Sequence, residues 1–257
     1  MILSKLEKPY SGSSLARIAV EVGEEEDIRL LAQSQTQEDG SDDDSSEDED
    51  DAFDWNETVE GEDPAILWAL KNAKFSIVDI LMPLNKINLQ GDPSADLTII
   101  CGSETFRVHK YILCSKSPVV SAMLNCDMRE AREGQIYIRD MNFDTLNSMI
   151  HYIYTGELAD GWQDLDVQDM AESADKYDLP GWMEVFCSAL ETEEVSGEKV
   201  AEMIIAGSRY KHSAARELRE VARDKIKERR ELTENPSFRE RLRGEDLNIW
   251  FDFLEII

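Results

Sequence analysis

Residues 106–120, FRVHKYILCSKSPVV, decide the fold of this chain. They contain His109 and Cys114, one of only three histidines and one of four cysteines in the sequence. A histidine near a cysteine raises the question of a catalytic pair or a metal site. The two are five positions apart, which on a helix does not place them on one face. The other histidines, His151 and His212, lie far away in the sequence, and no metal-ligand spacing surrounds the pair.

The same stretch also has a purely structural interpretation. The segment TFRVHK (105–110) alternates as a strand does, and YILCSK after it reads as a short helix. Ser117 and Pro118 are a helix start, with serine as the N-cap and proline at the first helical position. His109 then forms hydrogen bonds at a strand-to-helix junction, and Cys114 is a small core residue.

The pattern around this stretch predicts an α+β domain followed by helices. DLTIICG (96–102) and QIYIRD (135–140) read as two further strands, and a helix is expected from Asn142 to the TGEL segment. A helix is also expected after Pro64. Apolar stripes at helical spacing then occupy residues 167–177, 180–190, 200–207, 212–230 and 245–256, so the end of the chain is expected to be helical only.

The charge of the chain is concentrated in one segment. The sequence has 55 acidic and 27 basic residues, a net charge of −28, which argues against nucleic acid as a partner. Residues 21–63 alone hold 20 acidic residues and one basic residue, Arg29. The rest of the chain, with 35 acidic and 26 basic residues, is far closer to neutral.

The acidic composition predicts disorder over residues 1–63, centred on SDDDSSEDEDD at 41–51. The apolar spacing within this region still permits a short helix around 15–32. Ser45 and Ser46 are candidate phosphorylation sites, because acidic residues follow each of them at the position that acid-directed kinases read.

The residue types predict an intracellular protein without an enzyme's active site. No CxxC spacing occurs among the cysteines, and the N-terminus lacks the long apolar core of a signal peptide. Reduced thiols are therefore expected, with disulfide pairing as the alternative. No apolar run approaches the roughly 18 residues of a membrane helix. GxSxG, HExxH and glycine-rich phosphate-loop motifs do not occur, which predicts a non-enzyme with no cofactor, in the nucleus, the cytoplasm or both.

Three motifs in order resemble the BTB (POZ) domain family. They are ADLTIICGSETFRVHKYILCSKSPVVSAML, IYIRDMNFDTLNSMIHYIYTGEL and DMAESADKYDLPGWMEVFC, which together cover about residues 95–190. Within that family the chain looks most like the speckle-type POZ protein group, whose helical three-box or partial BACK extension is similar to residues 195–222. That group usually carries a MATH domain before the BTB domain. Residues 1–63 are acidic and 64–92 are too few for one, so stand-alone BTB proteins of fungi and invertebrates are alternative relatives.

The resemblance implies the BTB/POZ fold, a small mixed sheet packed by helices, over residues 93–190. A lead-in helix and linker are then expected over 64–92, and a BACK-like helical extension over 191–257. The positions that carry the family's structural signature are Asp96, Phe106, His109, Lys110, Ser117, Pro118 and Gly156.

The resemblance also implies a binding site. Cullin-binding members carry a hydrophobic residue, any residue and a glutamate after the helix that Ser-Pro begins, and Met128, Arg129 and Glu130 occupy that place. Tyr152 and Tyr154 lie in a helix end that contributes to the same contact in those relatives. The alternative is that Met128 caps the core from a solvated loop and that both tyrosines are core residues.

The function implied is that of a homodimeric adaptor that links a client protein to a cullin-3 ubiquitin ligase. The alternative is a BTB dimerisation scaffold or transcriptional co-regulator with no ligase role. The partners expected are a second copy of the chain or another BTB protein, cullin-3 and an unknown client, with no nucleic acid and no membrane.

Overall fold

The structure is a computed structural model that describes residues 15–36, 55, 63–82, 85, 91–125, 129–209, 213–243, 245 and 249. The chain divides into two compact units. The first comprises residues 1–89 with 154–156, and the second comprises residues 90–153 with 157–257.

Four short helices form the described part of the first unit: α1 (Leu15–Val22), α2 (Glu25–Thr36), α3 (Ala65–Lys71) and α4 (Phe75–Leu81). Helix α1 packs against α3, and α2 packs against α4. The helix expected around 15–32 is two helices, since α1 ends at Val22 and α2 begins at Glu25. The Gly23 N–H donates to the Ala19 carbonyl at 2.7 Å and closes the last turn of α1. Ser45, Ser46 and most of the remaining region expected to be disordered lie outside the described residues.

The second unit is built on a three-stranded mixed sheet of β1 (Leu97–Cys101), β2 (Glu104–Val108) and β3 (Gln135–Ile138), in the order β2-β1-β3. Strands β1 and β2 are antiparallel, whereas β1 and β3 are parallel. Gly102 takes a φ of 60° in the turn between β1 and β2, a conformation that glycine adopts without a steric penalty. The small mixed sheet predicted from the sequence is confirmed.

The register of the sheet directs one row of side chains into the core. Ile99 on the central strand stands opposite Phe106 on β2 and Ile136 on β3, and all three side chains are buried. Neighbouring residues along each strand point the other way, so β3 buries Ile136 and Ile138 and exposes Tyr137. This is the period-2 pattern of a sheet with one face on a core.

Four helices lie between and after these strands: α5 (Lys110–Lys116), α6 (Pro118–Asn125), α7 (Arg129–Glu133) and α8 (Phe143–Thr155). Helices α5, α6 and α8 begin within a residue or two of the positions that the sequence predicts. The short helix α7 was not predicted, because four of its five residues are charged and none of the five is buried, so they carry no apolar period.

Five more helices follow: α9 (Val167–Tyr177), α10 (Pro180–Thr192), α11 (Gly197–Arg209), α12 (Ser213–Glu228) and α13 (Pro236–Leu242). The last three lie in the range predicted for the helical extension. Helix α11 is central, since it packs against α9, α12 and α13. The predicted helix at 245–256 lies outside the described residues apart from 245 and 249. Within the described ranges, every helix is too short or too polar to cross a membrane.

Candidate protein-interaction surface

The strand-to-helix junction at the centre of residues 106–120 is held by two hydrogen bonds. His109 is 5% exposed, and its Nε2 lies 2.9 Å from the Ser94 hydroxyl oxygen. The next residue, Lys110, donates its backbone N–H to the Asp96 carboxylate at 2.8 Å, which satisfies one of the free N–H groups at the start of α5. His109 and Asp96 thus fix the direction in which α5 leaves the sheet.

Burial disfavours ionisation of the cysteine thiols in the described structure. Burial raises the pKa of the Cys114 thiol, although nearby Lys110 opposes the shift. Burial likewise raises the pKa of Cys101, and that of Cys187 to about 12. A catalytic cysteine needs the opposite shift, because the thiolate is the reactive form. Among the described residues, no group of three histidine, cysteine or carboxylate side chains is arranged to hold a metal ion.

Helix α6 is fixed at both ends. At its start the fully buried Ser117 donates its hydroxyl to the Tyr177 carbonyl at 2.6 Å and accepts the Val120 N–H at 3.2 Å. At its end the ammonium group of Lys110 donates to the Leu124 carbonyl at 3.1 Å. These bonds fix the position of both ends of α6, from its start at Pro118 to its end at Asn125.

The triplet predicted for cullin binding falls partly within the described structure. Met128 lies outside the described residues. Glu130 is in the first turn of α7 and is partly exposed. Helix α7 ends at Gly134, whose φ of 63° suits glycine and whose N–H donates to the Glu130 carbonyl at 3.0 Å.

Tyr137 on β3 belongs to the same surface and was not predicted from the sequence. Its side chain is 44% exposed, and the Arg129 guanidinium lies over its ring at 5.5 Å from the centroid. Arg129 also forms an ion pair with Glu133 at 2.8 Å. The alternation in QIYI could have predicted this exposed position, because Ile136 and Ile138 on the core face require Tyr137 to point outward.

The two predicted tyrosines of α8 have different environments. Tyr152 is partly exposed, and its ring stacks on Trp182 with centroids 6.4 Å apart. Burial, and secondly the charge of Glu184, raises the pKa of Tyr152. Tyr154 has no exposed surface, which favours the core interpretation for this residue.

The remaining signature positions lie at element ends or in the core. Phe106 is buried and stacks on Phe143 at 5.3 Å. Pro118 is the first residue of α6, and Gly156 follows α8 with a φ of 75°. These positions shape the fold, whereas the exposed side chains of α7 and β3 are available for contact with another molecule.

Comparisons with known proteins match part of this chain to one domain family. A family model described as the BTB/POZ domain matches residues 84–194. Protein maternal effect lethal 26 of Caenorhabditis elegans is 32% identical over 155 residues, which are 58% of this chain and 37% of that protein. TD and POZ domain-containing protein 3 of Mus musculus is 29% identical over 137 residues, 53% of this chain and 36% of that protein. The chain therefore matches little more than a third of the length of either relative.

Two solved structures are also similar. The BTB domain of zebrafish PATZ1 is 14% identical with a TM-score of 0.33, and the comparison covers 40% of this chain and 80% of that one. The BTB domain of human Gigaxonin is 20% identical with a TM-score of 0.31, over 38% of this chain and 79% of that one.

Proposed function

The chain contains a BTB/POZ domain over residues 84–194, and on that basis we propose that it is an adaptor that links a client protein to a cullin-3 ubiquitin ligase. The observation that carries this proposal is the partly exposed Glu130 at the start of α7. It stands where cullin-binding members of the family carry the glutamate of their hydrophobic-x-Glu triplet. Met128 supplies the hydrophobic member of that triplet.

The surroundings of Glu130 support a binding role. Tyr137 and Arg129, which lie against each other on the same surface, are of the residue types that dominate binding energy at protein interfaces. Tyr137 is held by a hydrogen bond from its hydroxyl to Gln135 at 3.0 Å, so less side-chain freedom is lost when a partner binds. Tyr152, partly exposed on α8, is the other proposed contact residue.

The proposal includes homodimerisation through the first helical unit. Two of its large apolar side chains are exposed, Leu30 at 58% on α2 and Phe75 at 44% on α4. These helices pack against each other. A dimer places two client sites and two cullin sites in one assembly, which raises the effective concentration of weak contacts.

The test is a pull-down with the isolated N-terminal domain of cullin-3. We expect the wild-type chain to bind, and the double variant Met128→Ala/Glu130→Ala to lose at least about tenfold in affinity. Glu104→Ala, which removes an exposed carboxylate from β2, is the matched control and retains binding. No binding by the wild-type chain contradicts the adaptor proposal.

A wild-type chain that forms dimers yet does not bind cullin-3 is instead a BTB scaffold or transcriptional co-regulator. Light scattering of the purified chain, measured beside the pull-down, distinguishes that result from a misfolded preparation.

A further inference from the structure

A cleft of about 290 Å³ lies between the N-terminal half of α8 and the loop that joins α8 to α9. Asp144 and Ser148 line it from the helix, and Asp160, Trp162 and Asp164 line it from the loop. Its volume is at the lower limit of the roughly 300–1,000 Å³ of pockets that hold a whole small molecule. The cleft is therefore large enough for a single long side chain.

The loop that forms one wall is held in place. A short 3₁₀ turn at Trp162–Asp164 follows Gly161, whose φ is 79°. The Trp162 ring packs edge-on against Phe186 with centroids 5.6 Å apart. The ammonium group of Lys199 on α11 donates to the Leu165 carbonyl where the turn ends. The wall is thus formed before any ligand arrives.

The cleft is acidic. Asp144, Asp160 and Asp164 are exposed carboxylates on its edge, and none of them pairs with a basic side chain among the described residues. The sequence contains no lysine or arginine anywhere from residue 141 to residue 175, and eight acidic residues in that span. Carboxylates gathered in a concave surface attract cations from solution.

Ser148 supplies a second, independent sign of a ligand. Its side chain is 2% exposed, it lines the cleft, and its hydroxyl has no hydrogen-bond partner in the described structure. A helical serine usually satisfies its hydroxyl with the carbonyl four residues earlier. A buried hydroxyl without a partner costs about 1–3 kcal/mol, a cost that a ligand donor in the cleft removes.

The arrangement fits an organic cation better than a metal ion. No three acidic or other metal-ligating side chains of the described structure converge on one point, so the aspartates surround the cleft without sharing a centre. A guanidinium group carries five N–H donors in a plane, which reach several separated oxygen atoms at once. It also binds against indole rings such as that of Trp162, whereas an ammonium group is a compact point charge.

We propose that this cleft binds an arginine side chain presented by an extended segment of a partner protein. The aspartates pair with the guanidinium, the Ser148 hydroxyl accepts one of its N–H groups, and Trp162 lies against its apolar surface. The site shares no residue with the Glu130 surface, so it stands whether or not the chain binds cullin-3.

The probe is the peptide acetyl-Gly-Arg-Gly-Arg-Gly-amide, titrated at low salt into the full ¹⁵N-labelled chain. We expect saturable chemical-shift changes confined to the amides of residues 144–148 and 159–165. The same peptide with citrulline in place of arginine keeps the shape and loses the charge, and we expect it to cause no such changes. A lysine peptide is expected to bind at least about threefold more weakly, because it lacks the planar fork.

Variants of the chain complete the test. Asp144→Asn/Asp160→Asn/Asp164→Asn is expected to weaken arginine binding at least about tenfold. The matched control Glu191→Gln/Glu193→Gln/Glu234→Gln removes three exposed charges elsewhere and retains binding. If thermal melting shows that the triple aspartate variant is unfolded, the single variant Asp160→Asn, in the exposed loop, replaces it. We expect this variant to bind the arginine peptide about threefold more weakly.

Ser148→Ala separates a binding role from a structural one. It removes an unsatisfied hydroxyl, so we expect the melting temperature to stay the same or rise while arginine binding weakens about threefold. The proposal is overturned by equal binding of the citrulline or lysine peptide, by shifts outside the cleft, or by undiminished binding to the aspartate variant.

Discussion

At the scale of single residues, buried hydrogen bonds hold residues 106–120 in place. Ser117 has no exposed surface, yet its hydroxyl satisfies two backbone groups, one on its own helix and one at the end of α9. The sequence predicted only the first of these roles, the N-cap. The hydrogen bond to Tyr177 joins residues that are far apart in the chain, and no local sequence pattern predicts such a contact.

Ser117→Ala is expected to lower the free energy of unfolding by about 1–3 kcal/mol, because the Tyr177 carbonyl and the Val120 N–H both lose their partner. Urea denaturation followed by circular dichroism measures the loss. Ser115→Ala is the control, since Ser115 is exposed and bonds only within its own helix. Equal losses in the two variants would contradict this account of Ser117.

Cysteine reactivity gives a second prediction at this scale. Burial raises the pKa of Cys101, Cys114 and Cys187, so few of their thiols are ionised at pH 8. We expect iodoacetamide to modify each of them at less than about one-tenth of its rate in urea. Mass spectrometry of peptides assigns the modification to each position. Rapid modification of Cys114 in the folded chain would revive the catalytic interpretation of residues 106–120.

At the scale of elements, most of the fold follows from periodicity. The strands β1, β2 and β3 and the helices α5, α6, α8 and α9 carry regular apolar spacing, and each forms where that spacing predicts. Periodicity did not predict helix α7 or the break between α1 and α2 near Gly23. Helix α7 buries none of its five side chains, and the apolar stripe continues across the break between the two helices. Tyr137 was not predicted as a surface residue, although the alternation of β3 places it opposite to the buried Ile136 and Ile138.

One exposed ion pair connects two of these elements. Lys176 on α9 donates to Asp140, just beyond β3, at 2.5 Å. This hydrogen bond holds the pKa of Asp140 below its ordinary value of 3.8. A lowered carboxyl pKa means that the pair stabilises the fold above that ordinary value and ceases to do so as the pH falls through the lower folded-state value.

Asp140→Asn is therefore expected to cost at most about 1 kcal/mol at pH 7, because the two side chains are 58% and 38% exposed and water screens them. The difference in free energy of unfolding between the variant and wild type is expected to become smaller as the pH falls below 3.8. Urea unfolding at pH 7 and pH 3 measures this difference, and Lys176→Met completes a double-mutant cycle. If the loss of stability in Asp140→Asn became larger at low pH, the ion pair would not be its cause.

At the scale of the whole molecule, the negative charge is unevenly distributed along the chain. The excess of negative charge lies mainly in residues 21–63, and the cleft of α8 adds a local acidic site in the second unit. That cleft was not predicted, because it forms where the loop after α8 folds back on that helix, and its unsatisfied hydroxyl is visible only in three dimensions. Motif order, by contrast, predicted the BTB/POZ domain from the sequence alone.

The proposed dimer is tested with the double variant Leu30→Gln/Phe75→Gln, which removes two exposed apolar side chains from the first unit. We expect light scattering to show a dimer for wild type and a monomer for the variant at micromolar concentration. Tyr137→Gln removes an exposed aromatic side chain from the second unit and is expected to remain dimeric. A dimer that survives in the double variant would place the interface elsewhere.

The strand order β2-β1-β3 also leads us to expect an order in which the sheet assembles. The β1–β2 hairpin closes over Gly102 and Ser103, whereas β3 reaches β1 only after residues 102–134 have been ordered. Short loops close faster and lose less chain entropy, so the hairpin is expected in the folding nucleus and β3 is expected to dock late. In stopped-flow experiments Val108→Ala should then mainly slow folding, and Ile136→Val should mainly speed unfolding. A newly made chain thus exposes one edge of β1 until β3 arrives, and in that interval the edge is open to pairing with a strand of another molecule.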